Sequence, residues 1–128
     1  MLILHITVAA DTTAITHLLI SIINSLDVGG ATNIYDTSVE ALKILDKEDS
    51  NEYTKTVILM TDGMSNVGSF YDLESYYKNS KSDIPIYSIT FGDSSEYQLR
   101  EIADLTNGKV FDGKHNLKSA FKEVRSYN

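Results

Sequence analysis

Four apolar residues in a row, Val57-Ile58-Leu59-Met60, lie between Thr56 and Thr61 and run straight into Asp62-Gly63. No other stretch of the chain constrains its fold as much. A strand with one face in water alternates polar and apolar residues, whereas a strand without alternation is covered on both faces, as in a parallel sheet with helices above and below it. The pattern returns at Ile84 to Phe91, where Pro85 stands near the start of the run and its missing N–H is tolerated. Two such strands need amphipathic helices around them, and the rest of the chain supplies helical patterning.

A helix is expected between these strands, at residues 70 to 80. Ser95 and Gln98 have the spacing of a capping box and open a helix that carries Leu99, Ile102 and Leu105 and stops at Asn107-Gly108. A short strand at Lys109 to Phe111 and a helix through Leu117, Phe121 and Val124 complete the C-terminal half. In the N-terminal half, Leu2 to Ala9 reads as a strand. Thr13 to Ser25 reads as a helix, because Ile15, Leu18, Leu19, Ile22, Ile23 and Leu26 recur at helical spacing. Asp36 to Leu45 repeats that spacing with Val39, Leu42 and Leu45. Strands alternating with helices define an α/β layer fold with a mainly parallel sheet. Residues 1–128 are expected to form a single domain: hydrophobic content is 42%, there is one proline, and only "DKEDSNEYTK" at 46 to 55 forms a loop-like polar cluster.

Charge narrows the partners. Eleven basic and eighteen acidic residues leave a net charge of −7, which repels phosphate backbones and anionic membrane surfaces and suits cations or basic partners. The apolar start "MLILHITVAAD" has no basic region before it and is shorter than the roughly 20 residues of a membrane helix, so no membrane insertion is expected. Without cysteine the chain has no disulfide, thiolate zinc site or thiol nucleophile, and it is compatible with either redox compartment.

In parallel sheets ligands collect beyond the carboxyl ends of the strands, where loops and helix N-termini converge. Asp62 stands there by sequence, directly after its strand, with Gly63 behind it to let the backbone turn. A second glycine-marked stretch, "GGATNIYD" at 29 to 36, leads into a helix with Thr32 or Asn33 as N-cap. Taken singly, each motif is also ordinary turn and cap chemistry. Their order is more specific: a glycine pair, Thr32, the acid Asp36, a helix, a buried strand, then Thr61-Asp62-Gly63 at its tip. In this order the chain resembles the von Willebrand factor type A domain, whose metal-ion-dependent adhesion site uses a DxSxS motif, a threonine in a glycine-rich loop and an aspartate after a later strand. The resemblance extends to "IPIYSITFG" as the penultimate strand and "LTNGKVFDG" leading into the final helix.

The resemblance implies a Rossmann-like open sheet flanked by helices and a non-enzymatic protein-interaction function. It implies that the Thr32 hydroxyl faces a metal and that Asp62 holds a metal-bound water. Gly29, Gly30 and Gly63 support the loops, and Ser65 and Asn66 stand at the rim. Mg²⁺ or Mn²⁺ suits such hard oxygen donors and leaves one position for a carboxylate of a protein ligand.

One departure stands out, since no DxSxS occurs in the 128 residues. In one placement, "DTTAITHLLISIINSL" is the helix before the threonine loop and "LILHITVAA" the antiparallel edge strand before it. The family's first strand, its helix and its second strand are then missing, and the chain is expected to be a fragment. In the other, "ITVAADTTA" is a degenerate first strand with Asp11 and Thr13 at the first two motif positions, and Ile15, which has no oxygen, replaces the last serine. The first needs no internal deletion. It leaves Val57 to Thr61 with an uncovered edge, a site for self-association. Of three outcomes, the N-terminal strand moving into the vacant slot, two chains pairing through it, or partial unfolding, the first is expected of a well-ordered monomer.

Other residues carry less. His5, His17 and His115 are scattered, without the i, i+4 or clustered spacing of metal ligands. Tyr71, Tyr76 and Tyr77 offer a partner-binding patch, although aromatics on an amphipathic helix commonly pack at the core boundary. An enzymatic alternative is a receiver-like domain with Asp62 as phosphoacceptor, Asp11 as the partner acid and Lys114 as the lysine. It leaves the Gly-Gly-x-Thr loop without a role. No nucleophile with an adjacent base and no pair of catalytic carboxylates is apparent.

Overall fold

The computed structural model describes residues 2–10, 18–24, 33–47, 53–61, 64–91 and 96–126. The elements follow in the order β1 (Leu2–Ala10), β2 (Leu18–Asn24), α1 (Ile34–Asp46), β3 (Tyr53–Thr61), α2 (Phe70–Ser80), β4 (Ile86–Thr90), α3 (Glu96–Thr106), β5 (Val110–Asp112) and α4 (Leu117–Ser126). The strands form one sheet in the order β2-β1-β3-β4-β5.

The apolar run of β3 is buried on both faces, as its lack of alternation requires. Val57 and Leu59 pack with Ile86 against Leu42 and Leu45 of α1, Leu73 of α2, and Leu99 and Ile102 of α3. Ile58 and Met60 point the other way and join Tyr87, Ile89 and Phe111 under Ala120 and Val124 of α4. The result is a three-layer α/β/α arrangement. β3, β4 and β5 are parallel, with Leu59 opposite Ser88 and Ser88 opposite Val110.

The N-terminal strand occupies the slot beside β3. β1 runs antiparallel to it over its whole length, from Leu2 opposite Thr61 to Ala10 opposite Tyr53. It is therefore an interior strand rather than an edge, and the mainly parallel character of the sheet belongs to its β3-β4-β5 half.

The helix expected over Thr13 to Ser25 is corrected for residues 18–24, which form β2, antiparallel to β1 with Leu2 opposite Asn24 and Val8 opposite Leu18. The sequence "LLISIIN" satisfies both periods: Leu18, Ile20 and Ile22 share one side of a strand as readily as Leu18, Leu19, Ile22 and Ile23 share a helix face. Three isoleucines fit the pleated surface, and a short apolar run cannot be assigned from periodicity alone. With β1 paired on both edges, β2 becomes the outer strand of the described sheet on that side.

Helix ends follow the sequence at α3. Asn107 takes a left-handed backbone, φ 55°, and Gly108 N–H donates to Ala103 O at 2.9 Å, which closes the helix as the Asn-Gly pair foretells. At α2 the left-handed position is filled by Lys81, φ 52°, with Ser82 N–H donating to Tyr77 O at 3.3 Å. The buried Thr106 hydroxyl joins α3 to the sheet, accepting from Ile86 N–H at 3.1 Å and donating to Ile102 O at 2.8 Å. Among the described residues, one buried side-chain polar atom has no partner: the hydroxyl of Ser88, inside β4.

Candidate functional site at the carboxyl edge of the sheet

β3 and β4 end side by side, Thr61 opposite Thr90, and Thr90 stands opposite Asp112 of β5. The ladder continues past the strand ends, since Phe91 N–H donates to Thr61 O at 3.2 Å and Gly113 N–H to Thr90 O at 2.8 Å. Thr61 and Thr90 are both buried. Three helices, α1, α2 and α3, begin on this side of the molecule, where the segment after β3 is held.

Helix α1 starts at Asn33, whose side chain accepts from Asp36 N–H at 3.0 Å; the Asn33 amide also donates to the Asp36 carboxylate at 2.6 Å. Of the two N-cap candidates in the sequence, Asn33 caps. An acid in the first turn complements the helix dipole. The first N–H of the helix, from Ile34, donates to Ser65 Oγ at 3.2 Å, and Ser65 Oγ donates onward to Val67 O at 2.9 Å. Gly68, with φ +82°, lies so close to the cap that a Cβ there would run into Asn33 Oδ1. The segment after β3 is thereby fixed on the N-terminus of α1.

Gln98 fixes the same segment from α3. Its Oε1 accepts from Ser65 N–H at 2.8 Å and its Nε2 donates to Ser65 O at 3.0 Å. The side-chain amide pairs with the Ser65 peptide as one strand pairs with another. Ser95, the other half of the capping box expected with Gln98, lies outside the described residues. Beside Gln98, Tyr35 meets Phe70 edge-on with ring centroids 6.1 Å apart. Burial, then the nearby Glu101 carboxylate, pushes the Tyr35 hydroxyl above its ordinary pKa, and a hydrogen bond with Gln98 opposes the shift.

Of the residues singled out in the sequence, Ser65 is half-buried and Asn66 exposed on this segment. Thr32, Asp62, Gly29, Gly30 and Gly63 lie outside the described residues, as do Asp11 and Thr13. Thr32 directly precedes the cap Asn33 in the chain, and Asp62 directly follows Thr61. Among the described residues no three His, Cys, Asp or Glu side chains gather as a metal-holding group. Lys114 is 3.9 Å from Glu96. Of the three tyrosines on α2, Tyr76 donates to Asp46 at 2.8 Å and Tyr77 to Ile84 O at 3.2 Å, both at the core boundary, while Tyr71 is exposed.

The profile of the von Willebrand factor type A domain matches residues 6–125 of the chain. With the α/β/α fold, this shows that the chain belongs to the von Willebrand factor type A domain family. Domains of this family are generally non-enzymatic and mediate protein interactions of the adhesion type, and they often bind divalent metals. A comparison with curated proteins found no match.

Proposed function

We propose that this chain is a non-enzymatic, adhesion-type interaction domain whose metal-dependent site is incomplete. Thr32 and Asp62 are its remaining metal-facing residues, Gly29, Gly30 and Gly63 shape the loops that carry them, and Ser65 and Asn66 form the rim. The observation that supports this most is the hydrogen bond from Ile34 N–H to Ser65 Oγ. It ties the start of α1, two residues after Thr32, to the segment that begins at Asp62. Such a tie is what a shared ligand of the two would need.

The donor set does not fit a full Mg²⁺ or Mn²⁺ site. Such ions take hard oxygen ligands, octahedral for Mg²⁺, and give up water reluctantly. The chain brings the Thr32 hydroxyl and the Asp62 carboxylate, and its sequence contains no DxSxS to add two more hydroxyls. The Ser65 hydroxyl is already engaged, accepting from Ile34 N–H and donating to Val67 O. Mg²⁺ binding to the isolated chain is accordingly weak or absent, and a protein ligand that engages through a carboxylate on the metal binds weakly with it.

If Asp62 serves a ligand rather than the fold, Asp62→Asn leaves the metal-free protein as stable as the wild type, within the roughly 0.5 kcal/mol typical of surface substitutions. Urea melts in EDTA measure this. A loss beyond about 2 kcal/mol would assign Asp62 to a buried structural hydrogen bond instead.

A further inference from the structure

Among the described residues the exposed large apolar side chains are Met64, Val67, Tyr71 and Tyr97, with 60%, 42%, 70% and 71% of their surfaces in water. They are not scattered. Met64 and Val67 flank Ser65 and Asn66 on the segment after β3, Tyr71 is the second residue of α2 and Tyr97 the second of α3. The Gln98–Ser65 pairing joins these pieces, since Tyr97 precedes Gln98 and Met64 precedes Ser65. Isolated exposed apolar residues are ordinary, but several carried by segments that one pairing holds together at one rim mark an interaction surface, and rigid tyrosines with an adaptable methionine suit binding.

The charge of this rim selects the partner. Residues 64–74 and 96–104 contain the acids Asp72, Glu74, Glu96, Glu101 and Asp104, and three bases stand against them, Arg100, Lys78 and Lys114. Arg100 and Lys114 pair with Glu96, at 3.0 and 3.9 Å, and Lys78 with Glu74 at 2.6 Å, so Asp72, Glu101 and Asp104 carry the acidic excess. We infer that the rim of Met64, Val67, Tyr71 and Tyr97 binds a basic protein segment that inserts a large apolar side chain, and that it does so without a metal ion. This rests on the reading of the chain as an interaction domain, but it assigns the partner a charge opposite to that of a metal-seeking carboxylate ligand.

The test is selection of phage-displayed random dodecapeptides on the full chain in EDTA, followed by affinity measurements on the enriched peptides. The expected result is enrichment of peptides that combine Lys or Arg with Leu, Phe or Trp. Their affinity should fall at least tenfold on Met64→Ser with Tyr97→Ser, two exposed changes that leave the melting curve in place, and should weaken as salt rises. Charge removal at Asp72→Asn with Asp104→Asn should weaken binding as well. Enriched peptides that tolerate all four changes would overturn the rim assignment while leaving an interaction domain. Acidic peptides that bind only with Mg²⁺ and are lost on Thr32→Ala would overturn it in favour of a working metal site. Enrichment of no peptide under either condition would count against both readings.

Discussion

Replacing Gln98 by alanine tests whether the candidate site is held together by one side chain. The substitution removes the bonds to Ser65 N–H and Ser65 O, at 2.8 and 3.0 Å. Each is worth about 0.5–1.5 kcal/mol net, and because the pair is only partly buried, water can replace it in the variant, so the expected loss is about 1–2 kcal/mol. For a domain of this size that lowers the melting midpoint by roughly 3–8 °C. The change should be local as well as global. Hydrogen exchange should show the Ser65 amide losing protection, and the Ile34 amide with it, because Ile34 N–H donates to the hydroxyl of that same residue. Amides in the centre of β3 should follow only the global change. Gln98→Glu keeps the acceptor for Ser65 N–H but sets a carboxylate against Ser65 O. Its deficit should therefore shrink as pH falls toward 4, where a protonated carboxyl can donate again. Unchanged melting together with full protection of both amides in Gln98→Ala would refute the argument that this pairing fixes the segment.

Two further outcomes follow from single groups. The Ser88 hydroxyl is buried without a partner, so Ser88→Ala should raise stability by about 1 kcal/mol in urea melts, and a loss of that size would reveal a bond that this account lacks. The Tyr76 pKa is pushed up to about 12 by burial and by its contact with Asp46, while the unfolded chain releases that proton near pH 10. A raised folded pKa contributes stability that is complete below about pH 10 and is lost as pH climbs toward 12. Tyr76→Phe should lack that part of the alkaline loss, and a Tyr76 ultraviolet titration centred near 10 would contradict it.

What the sequence disclosed depends on how local the signal is. The run Val57 to Met60 carries its own evidence of double burial, and Asn107-Gly108 its own evidence of a helix end. The cap at Asn33 is equally local, with Asp36 three residues on. By contrast Leu18 to Asn24 fits two periods at once, and only its antiparallel pairing with β1 selects the strand. Lys81 occupies a left-handed position without the glycine or asparagine that would announce it. The Gln98–Ser65 pairing spans 33 residues, and no local pattern announces it. Ser65 was legible as a rim residue, but its capping of α1 depends on how β3 and α1 pack. Of the apolar rim, Tyr71 is legible in the sequence as part of a tyrosine patch, whereas Met64 and Tyr97, 33 residues apart, are linked through the Gln98–Ser65 pairing.

The central claim is that this family member retains only part of a metal site. Calorimetric titration of Mg²⁺ and Mn²⁺ into the metal-free chain tests it most directly, with Thr32→Ala and Asp62→Ala in parallel. The account predicts no saturation at micromolar metal and little difference among the three proteins, because the direct hydroxyl donors of a DxSxS are missing from the sequence. Micromolar affinity in the wild type that disappears in both variants would contradict it and show that the chain completes the site with other oxygens.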